Sequence, residues 1–420
     1  MNEKLMYYLW QNPQFMVYPL HTTDNRSLSV VRAGQLNSNS GPDFLFSQIQ
    51  LNQITWIGHV EMHVQSSDWY AHNHHTDVAY NNVILHVVWE DDVQVHSSDD
   101  EPIPTLVLQN YVNEQILGRI QALSDSEQWI PCADQLATIT HFRQMAFFDR
   151  LFVERLANKT KVFQQWLSQS ANDWEAVLFV ALAKGFGLAL NGMAFAAIAQ
   201  SIPFNIIRKS TDPIEIEAIL LGQAGLLDSD VEDAYKDKLK RMHQYACQKY
   251  KLKKIDEKVK FFRTRPSGFP SIRLSQLAQL YTKHTHLFDK IINGDCKDKV
   301  SAFFEVEASP FWHTHYVFGK ENVKRKKVLT ASFIDLLTIN TLIPFLFCYY
   351  KANGVEKIED LIHWASSLKP ESNGIIRAFS SLGISTASAL DSQALLQLKH
   401  YYCEEKKCLS CSFGHELIQS

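Results

Sequence analysis

The first hundred or so residues alternate short apolar runs with turn residues, a pattern typical of β-strands. Leu51-Asn52-Gln53 is suited to a tight turn, so we expect the runs on either side of it to pair as a hairpin. This part of the chain is predicted to be a small β-rich domain. Its candidate strands are Val30–Arg32, Phe44–Leu51, Ile54–Val64, Val83–Trp89 and Pro104–Leu108.

After Tyr111 the apolar residues follow the spacing of helices. The most apolar stretch, residues 176–199, is interrupted by Lys184 and Asn191, which favours two packed core helices over a membrane span. The pattern predicts an α+β protein with a β-rich domain at 1–110, a mainly helical domain at 111–400 and a cysteine-rich tail at 401–420. The clearest helical segments are Met145–Leu167, Trp174–Leu190, Met193–Ala199, Ile214–Leu226 and Ile272–Tyr281.

The composition is that of a folded globular protein, with 46% hydrophobic and 20% charged residues in a chain of 420. Glu3 and Lys4 interrupt the start of the chain and no long apolar run follows, so we expect a cytoplasmic protein that does not contact the membrane. In that compartment its seven cysteines are expected to stay reduced and available to metal. The net charge of −4 decides nothing about nucleic acid.

Acidic and imidazole groups concentrate in the predicted hairpin. On a strand across residues 56–64, alternation puts His59, Glu61 and His63 on one face, and Asp43 stands at the mouth of the neighbouring strand. Asp43 and Glu61 together offer the carboxylates that Mg²⁺ accepts. His63 is then placed to act as a base or to polarise a scissile phosphate.

Two other interpretations of these residues stay open. His63, His75, His86 and Glu61 have the chemistry of a transition-metal site, the kind found in Zn²⁺ hydrolases that act on small molecules. Alternatively, Asp43 caps its own turn and Glu61 pairs with Arg32 in a half-exposed sheet, with no catalytic role for either.

Pro42-Asp43 and Glu61-Met62-His63 resemble the two halves of the motif of the PD-(D/E)XK nuclease superfamily. The resemblance implies a restriction-endonuclease-like core, with a hairpin bearing the acidic residues, then a helix over residues 66–81 and a strand over 83–89. It implies Mg²⁺-dependent cleavage of DNA or RNA phosphodiesters by Asp43, Glu61 and His63. This sequence departs from the superfamily at His63, where Lys is usual, and a binding module without catalysis is the alternative that this departure suggests.

The whole chain also resembles a bacterial family catalogued only as a domain of unknown function. The resemblance rests on the segments NSGPDF, GHVEMHVQSSDW, YNNVILHVVWEDD, RPSGFPSIRL and CLSC. It implies no activity.

The C-terminal tail carries three cysteines at metal-binding spacing, Cys403, Cys408 and Cys411, and the last two form a CxxC pair. Three thiolates and a fourth ligand complete a Zn²⁺ site or hold an iron–sulfur cluster. Two residues are candidates for the fourth ligand, Cys132 from the middle of the chain and His415 from the tail itself.

A basic strip covers residues 236–265, with twelve Lys or Arg against three Asp or Glu. It leads into Arg263, Arg265, Phe269 and Arg273, a combination that suits a phosphate backbone with a stacked base. The same residues suit an interface between domains, where Arg binds carboxylates. The sequence therefore predicts DNA or RNA as a partner and leaves this alternative open.

Overall fold

The computed structural model describes residues 2–293 and 296–419. It is 56% helical and 13% strand, with an N-terminal sheet followed by a mostly helical region, so the predicted α+β class is confirmed. The chain divides into two compact units. Unit 1 comprises Met1–Thr140 with Lys399–Ser420, and unit 2 comprises His141–Leu398. The first unit thus extends beyond residue 110 and takes in the C-terminal segment.

Unit 1 is built on one mixed sheet, and each of the five predicted strands is present in it. The strands run in the order β1-β2-β4-β5-β6-β7, with β3 paired to β4. Pairing is antiparallel from β1 to β5, whereas β6 and β7 continue in parallel. Their bounds are β1 Leu20–His21, β2 Ser27–Arg32, β3 Gln35–Leu36, β4 Phe44–Leu51, β5 Ile54–Gln65, β6 Val83–Glu90 and β7 Thr105–Val107.

The predicted hairpin joins β4 to β5 through a two-residue turn. Leu51 pairs with Ile54, and Asn52 and Gln53 both have positive φ, +46° and +72°. Positive φ at both central positions gives the twist that adjacent antiparallel strands require. A β-bulge between Phe44 and Ser47 then shifts the register at the far end of the hairpin, next to Asp43.

Helix α1, Glu3–Gln11, packs its apolar side into the core of unit 1 through Met6, Leu9 and Trp10. The side chain of Asn2 caps this helix by accepting a hydrogen bond from the backbone N–H of Leu5. The sheet contributes Phe44, Val60, Leu85 and their neighbours to the same core. Helix α3, Glu114–Asp125, follows the last strand and adds Ile120 and Leu123.

The prediction of one helix over residues 66–81 is wrong in detail. The crossover from β5 to β6 contains a four-residue helix α2, Asp68–Ala71, and then 3₁₀ turns at His74–Thr76 and Val78–Tyr80. Asn73 between them has φ +61°, a left-handed conformation that a continuous helix excludes. The polar run that includes this residue satisfies its backbone in turns rather than in a helix.

Unit 2 is almost entirely helical and contains the predicted helical segments. The stretch at 174–200 forms two helices that meet at Leu188, whose φ of +53° breaks the run, as the prediction of two core helices requires. The helices are α4 His141–Gln169, α5 Trp174–Phe186, α6 Leu188–Gln200, α7 Phe204–Lys209, α8 Pro213–Gln223, α9 Ala234–Tyr250, α10 Pro270–Lys283, α11 Leu287–Asn293, α12 Cys296–Phe303, α13 Ala331–Leu337, α14 Ile343–Ala352, α15 Ile358–Ser367, α16 Gly374–Ser381 and α17 Ala389–Leu398, with a small hairpin of β8 His315–Val317 and β9 Lys320–Glu321.

A π-helical turn, Thr338–Leu342, joins α13 to α14. Together these three elements form one helix, Ala331–Ala352. Among the described residues it is the only helix that is long and apolar enough to cross a membrane, and 72% of its most apolar window is buried inside the structure.

Unit 2 also buries a carboxylate. Glu217 accepts hydrogen bonds from the side chains of Trp312, Ser275, Ser309 and Tyr235.

The C-terminal segment returns to unit 1. It consists of a π-helical turn at Lys399–Cys403, a 3₁₀ turn at Cys408–Ser410 and helix α18, Ser412–Gln419. Ile418 of α18 is fully buried in the same core as α1 and the sheet. The side chain of Arg119 on α3 donates to the carbonyl of Ile418 at 3.0 Å.

Candidate metal site of unit 1

The centre of the sheet brings three predicted residues to one place. Asp43 directly precedes β4, Glu61 and His63 lie on β5, and β5 runs parallel to β6, where His86 is the register partner of Glu61. Glu61, His63 and His86 are 5%, 1% and 0% exposed. Buried polar side chains need partners, so their mutual contacts determine what the site can bind.

Asp43 and Glu61 are linked by backbone hydrogen bonds across the hairpin. The backbone N–H of Asp43 donates to Glu61 Oε2 at 3.0 Å, and the N–H of Met62 donates to Asp43 Oδ2 at 3.0 Å. The hydroxyl of Tyr7 on α1 donates to Asp43 Oδ1 at 2.7 Å. Both carboxylates are therefore held in fixed orientations, and one oxygen of Glu61, Oε1, is left to face the histidines.

Burial and the nearby carboxylate of Glu61 raise the pKa of Asp43 from 3.8 to about 7. Hydrogen bonds from Tyr7 and Met62 act in the opposite direction, because they stabilise the ionised carboxylate, but they do not overcome burial. The same neighbourhood raises the pKa of Tyr7 well above 10, through burial first and then through Asp43. The Tyr7 phenol is therefore a stable hydrogen-bond donor to Asp43.

Three imidazoles meet beside Glu61 Oε1. One ring nitrogen from each of His63, His72 and His74 lies within 4.8 Å of the other two. Glu61 Oε1 lies 3.5 Å from His63 Nε2 and 3.3 Å from His74 Nε2. Imidazole nitrogens and a carboxylate oxygen that converge in this way fit a transition-metal ion, for which imidazole is a preferred ligand. We call Glu61, His63, His72 and His74 the three-histidine cluster.

Aromatic packing holds the crossover that supplies two of these histidines. The ring of Tyr80 stacks on that of His74, with centroids 3.8 Å apart, and buried Trp69 contacts His74 edge-on at 5.4 Å. The indole N–H of Trp69 donates to the carbonyl of His96 at 3.1 Å. At the start of the crossover, Asp92 Oδ1 accepts from both the hydroxyl of Ser66 and the backbone N–H of Ser67.

His63 is oriented by the imidazole behind it. His63 Nδ1 and His86 Nε2 are 2.8 Å apart, which leaves His63 Nε2 facing Glu61 and His72. Burial and the neighbouring imidazoles lower the pKa of His63 to about 2, and burial lowers that of His86 to about 3. Both rings are neutral near pH 7, as metal ligation requires. His63 is therefore no cationic substitute for the Lys of the nuclease motif.

Other predicted members of this site lie elsewhere. His75 packs against Tyr70 at 5.1 Å, and His59 accepts a hydrogen bond from the backbone N–H of Phe46. Neither is in the three-histidine cluster. The suggested pairing of Glu61 with Arg32 is wrong, because Arg32 belongs to β2, which pairs with β4 rather than β5.

Sequence reasoning missed His72 and His74 as neighbours of His63. The only signal was the string HNHHTD, whose polar residues are also typical of a loop. Its conformation depends on contacts with Trp69 and Tyr80 that no local pattern encodes.

The predicted nucleic-acid contacts in unit 2 divide into two kinds. Arg263 and Arg265 are exposed, and Phe269 is half-buried against Phe261 with centroids 5.1 Å apart. Arg273 is only 8% exposed, and its guanidinium lies 3.5 Å from the centroid of the Phe333 ring. Because this guanidinium is enclosed within the helical core, the structure gives no support to the prediction that Arg273 contacts nucleic acid.

Unit 1 also contains the four cysteines that the sequence predicts to bind metal. Cys132 and Cys408 both pack against its core, and Cys403 and Cys411 belong to the same C-terminal segment as Cys408. His415 has other partners, since its Nδ1 lies 2.8 Å from the Tyr8 hydroxyl and its Nε2 lies 3.0 Å from the Gln419 side-chain amide.

The fold and the cluster define an α+β protein with a mixed N-terminal sheet whose central strand bears carboxylate and imidazole groups that fit a metal. Residues 3–374 match the family described as "Protein of unknown function (DUF2851)", and the chain belongs to this family. No curated protein and no solved structure matches the chain.

Proposed function

We propose that this protein is a metal-dependent hydrolase whose metal is held by Glu61, His63, His72 and His74. The observation that carries the proposal is the approach of three imidazole nitrogens within 4.8 Å of one another, beside Glu61 Oε1. All four residues come from one strand and the crossover that follows it, and the two on the strand, Glu61 and His63, are buried. Imidazole nitrogens that converge in this way can share one cation through their lone pairs.

The donor set favours a transition metal such as Zn²⁺, because imidazole nitrogens suit Zn²⁺, Cu, Fe and Ni whereas Mg²⁺ prefers an all-oxygen shell with several waters. The prediction of Mg²⁺ held by Asp43 and Glu61 stays a prediction. Asp43 Oδ1 and Oδ2 each already accept a hydrogen bond from the protein. Both kinds of metal therefore belong in the test.

A metal bound here would supply a Lewis acid and a water of lowered pKa. The chain's own residues position the ligands. Asp43 holds Glu61 Oε2 through its backbone N–H, and Tyr7 fixes the carboxylate of Asp43. His86 orients the ring of His63, which would act as a ligand rather than as a general base.

Phosphodiesters of DNA or RNA are the substrates that we propose. The order of elements supports this choice, because Asp43 stands before one strand of an antiparallel hairpin, Glu61 and His63 lie on the other, and a crossover leads to the parallel strand β6. This is the arrangement that the resemblance to the PD-(D/E)XK superfamily implies. Exposed Arg263 and Arg265 of unit 2 remain candidates for contacts with phosphate.

A second candidate is a Zn²⁺ hydrolase acting on a small molecule. It is favoured by the set of three imidazoles, which differs from the carboxylate and lysine set of the nuclease motif. The two candidates share the metal site and differ in the substrate.

The test begins with the metal content of the purified protein and of two variants, His72→Gln and His74→Gln. His75→Gln is the matched control, because it changes the same type of residue in the same crossover without touching the cluster. Each protein is then assayed with Zn²⁺, Mn²⁺ or Mg²⁺ on single- and double-stranded DNA, on RNA, on a chromogenic phosphodiester and on a chromogenic carboxylic ester.

We expect phosphodiester cleavage that needs added or retained metal and is lost in the His72 and His74 variants but not in His75→Gln. Cleavage of the carboxylic ester alone would establish the second candidate. Retention of oligonucleotides without turnover would favour a binding module on a nuclease-like core. Equal metal content and equal turnover in all four proteins would refute the site itself.

A further inference from the structure

Four cysteines of unit 1 lie at the junction between its core and the C-terminal segment. Cys132 precedes the 3₁₀ turn Ala133–Thr138, whereas Cys403 ends one π-helical turn, Cys408 opens a 3₁₀ turn and Cys411 stands directly before α18. None of the six cysteines that the structure describes forms a disulfide. We call Cys132, Cys403, Cys408 and Cys411 the four-cysteine cluster.

The CxxC pair forms a single tight turn. The backbone N–H of Cys411 donates to the carbonyl of Cys408 at 3.2 Å, and the N–H of His415 donates to the carbonyl of Cys411 at 2.8 Å. Gly414 permits this approach, because a Cβ at that position would lie 2.2 Å from the carbonyl oxygen of Cys408. Two sulfurs presented from one turn are a common half of a tetrahedral metal site.

Burial and the neighbouring thiols raise the pKa of three of these cysteines. The pKa of the Cys132 thiol is raised to about 12, first by burial and then by Cys411 and Cys408. The pKa of Cys408 is raised to about 11 by burial and by Cys411, and that of Cys403 is raised by burial and by the other three. Two contacts bear on their positions, because Cys132 and Cys408 both pack against the core of unit 1 and the backbone N–H of Cys411 donates to the carbonyl of Cys408.

Cys132 is the better candidate for the fourth ligand. Both ring nitrogens of His415 have partners, Tyr8 on one side and Gln419 on the other, and the ring also packs against Phe15 at 5.6 Å. Cys132 has no such competing role in the described structure and is the one cysteine from outside the C-terminal segment that the cluster includes.

We propose that Cys132, Cys403, Cys408 and Cys411 bind a thiolate-ligated metal centre, Zn²⁺ or an iron–sulfur cluster, which fastens the C-terminal segment to the core of unit 1. Both centres use the same four-thiolate chemistry. The proposal is independent of the three-histidine cluster, with which it shares no residue.

Protein contacts also attach the segment to unit 1, among them the buried side chain of Ile418 and the hydrogen bond between His415 and Tyr8. Arg119 donates to the carbonyl of Ile418, and the Lys406 ammonium donates to the carbonyl of Ser124 at 3.0 Å. Lys406 and Lys407 are themselves exposed, between Cys403 and Cys408. A metal that joins Cys132 to this segment links residues far apart in the sequence. The chain between them forms a long loop, and the entropic cost of closing a loop grows with its length.

The experiment measures metal by elemental analysis in the full-length chain purified under reducing conditions. It is done in a His72→Gln, His74→Gln background, so that the cysteines are the remaining candidate site. Cys132→Ser is compared with Cys247→Ser, a control whose thiol lies in α9 of unit 2 and contacts His243. We expect stoichiometric zinc, or iron with visible absorption, in the background and in the control, and at least a tenfold weaker hold on the metal against a chelator in Cys132→Ser.

A second readout does not depend on the folding of Cys132→Ser. A thiol reagent and trypsin are applied to the background protein before and after chelation. Metal release should be accompanied by new reactivity of four thiols and by faster cleavage after Lys406 or Lys407. The proposal is overturned if the reduced protein neither contains nor takes up Zn²⁺ or iron, or if Cys132→Ser retains metal as tightly as Cys247→Ser. These results leave the hydrolase proposal untouched, because two of its four proposed metal ligands, His72 and His74, are replaced in the background.

Discussion

Replacing His86 tests whether the ring behind His63 governs metal binding. His86 is fully buried, and its Nε2 lies 2.8 Å from His63 Nδ1. If His63 binds metal through Nε2, its Nδ1 carries the proton and donates it to His86. His86→Leu removes this acceptor and leaves a buried donor without its partner, whereas His86→Gln can supply an acceptor at a similar distance.

The expected magnitudes follow from that hydrogen bond. Loss of a partner behind a metal-binding histidine weakens metal affinity about 10- to 100-fold, which corresponds to about 1.4–2.7 kcal/mol. The unpartnered donor should lower the free energy of unfolding by about 1–3 kcal/mol. His86→Gln should recover part of both losses.

The assay is competition with a chromogenic chelator for the metal, alongside urea unfolding of the same samples. His284→Leu is the control, because His284 is also buried and its Nε2 bonds to the carbonyl of Phe303 within unit 2. It should lose stability while its metal affinity stays unchanged. The reasoning is refuted if His86→Leu folds and binds metal as tightly as the unmodified chain.

Three further predictions concern stability and charge. Gln53→Gly should raise the free energy of unfolding by about 1 kcal/mol in urea titration, because glycine adopts the φ of +72° in the hairpin turn without strain; no gain would mean that the turn tolerates Gln53 at little cost. Arg273→Ala should lower the midpoint of urea unfolding, since the guanidinium of Arg273 packs on Phe333. Arg265→Ala should leave the midpoint unchanged, because Arg265 is exposed. A larger loss in Arg265→Ala than in Arg273→Ala would contradict the burial of Arg273. Burial raises the pKa of Glu217 above 4.5, so the carboxyl group of Glu217 binds a proton more tightly in the folded chain than in the unfolded chain. The stability that results is fully present below pH 4.5 and is lost as pH rises through the raised pKa. Glu217→Gln, which cannot ionise, should therefore lose less stability than the unmodified chain as pH rises above 4.5. A parallel dependence of stability on pH in the two proteins would count against this reasoning.

The strands and helices were largely predictable, because their signal is local. Alternating and helical apolar spacing reflects which faces of each element are buried, and β4 in the structure has the bounds that its sequence predicts. The turn at Asn52-Gln53 likewise fixes the hairpin, since two residues of positive φ define its register.

The approach of Asp43 to Glu61 was only partly predictable. If the register set by Leu51 and Ile54 continued without interruption, Asp43 would lie opposite Met62. The side chain of Met62 points to the face of the sheet opposite that of Glu61. The bulge between Phe44 and Ser47 shifts the register by one residue and brings Asp43 opposite Glu61. Such a bulge has no clear sequence signal here, and it is a common device for redirecting a side chain.

The sequence by itself determined the order of elements, the hairpin with its acidic residues, and the presence of enough cysteine and histidine to bind metal. Only the tertiary structure decided which of them meet. His72 and His74 lie beside His63 because the crossover packs on Trp69 and Tyr80. Cys132 and the C-terminal cysteines belong to one unit because the last helix returns to the first unit, and Phe333 withdraws Arg273 from solvent. Each of these depends on contacts between residues distant in the sequence, which local spacing does not encode.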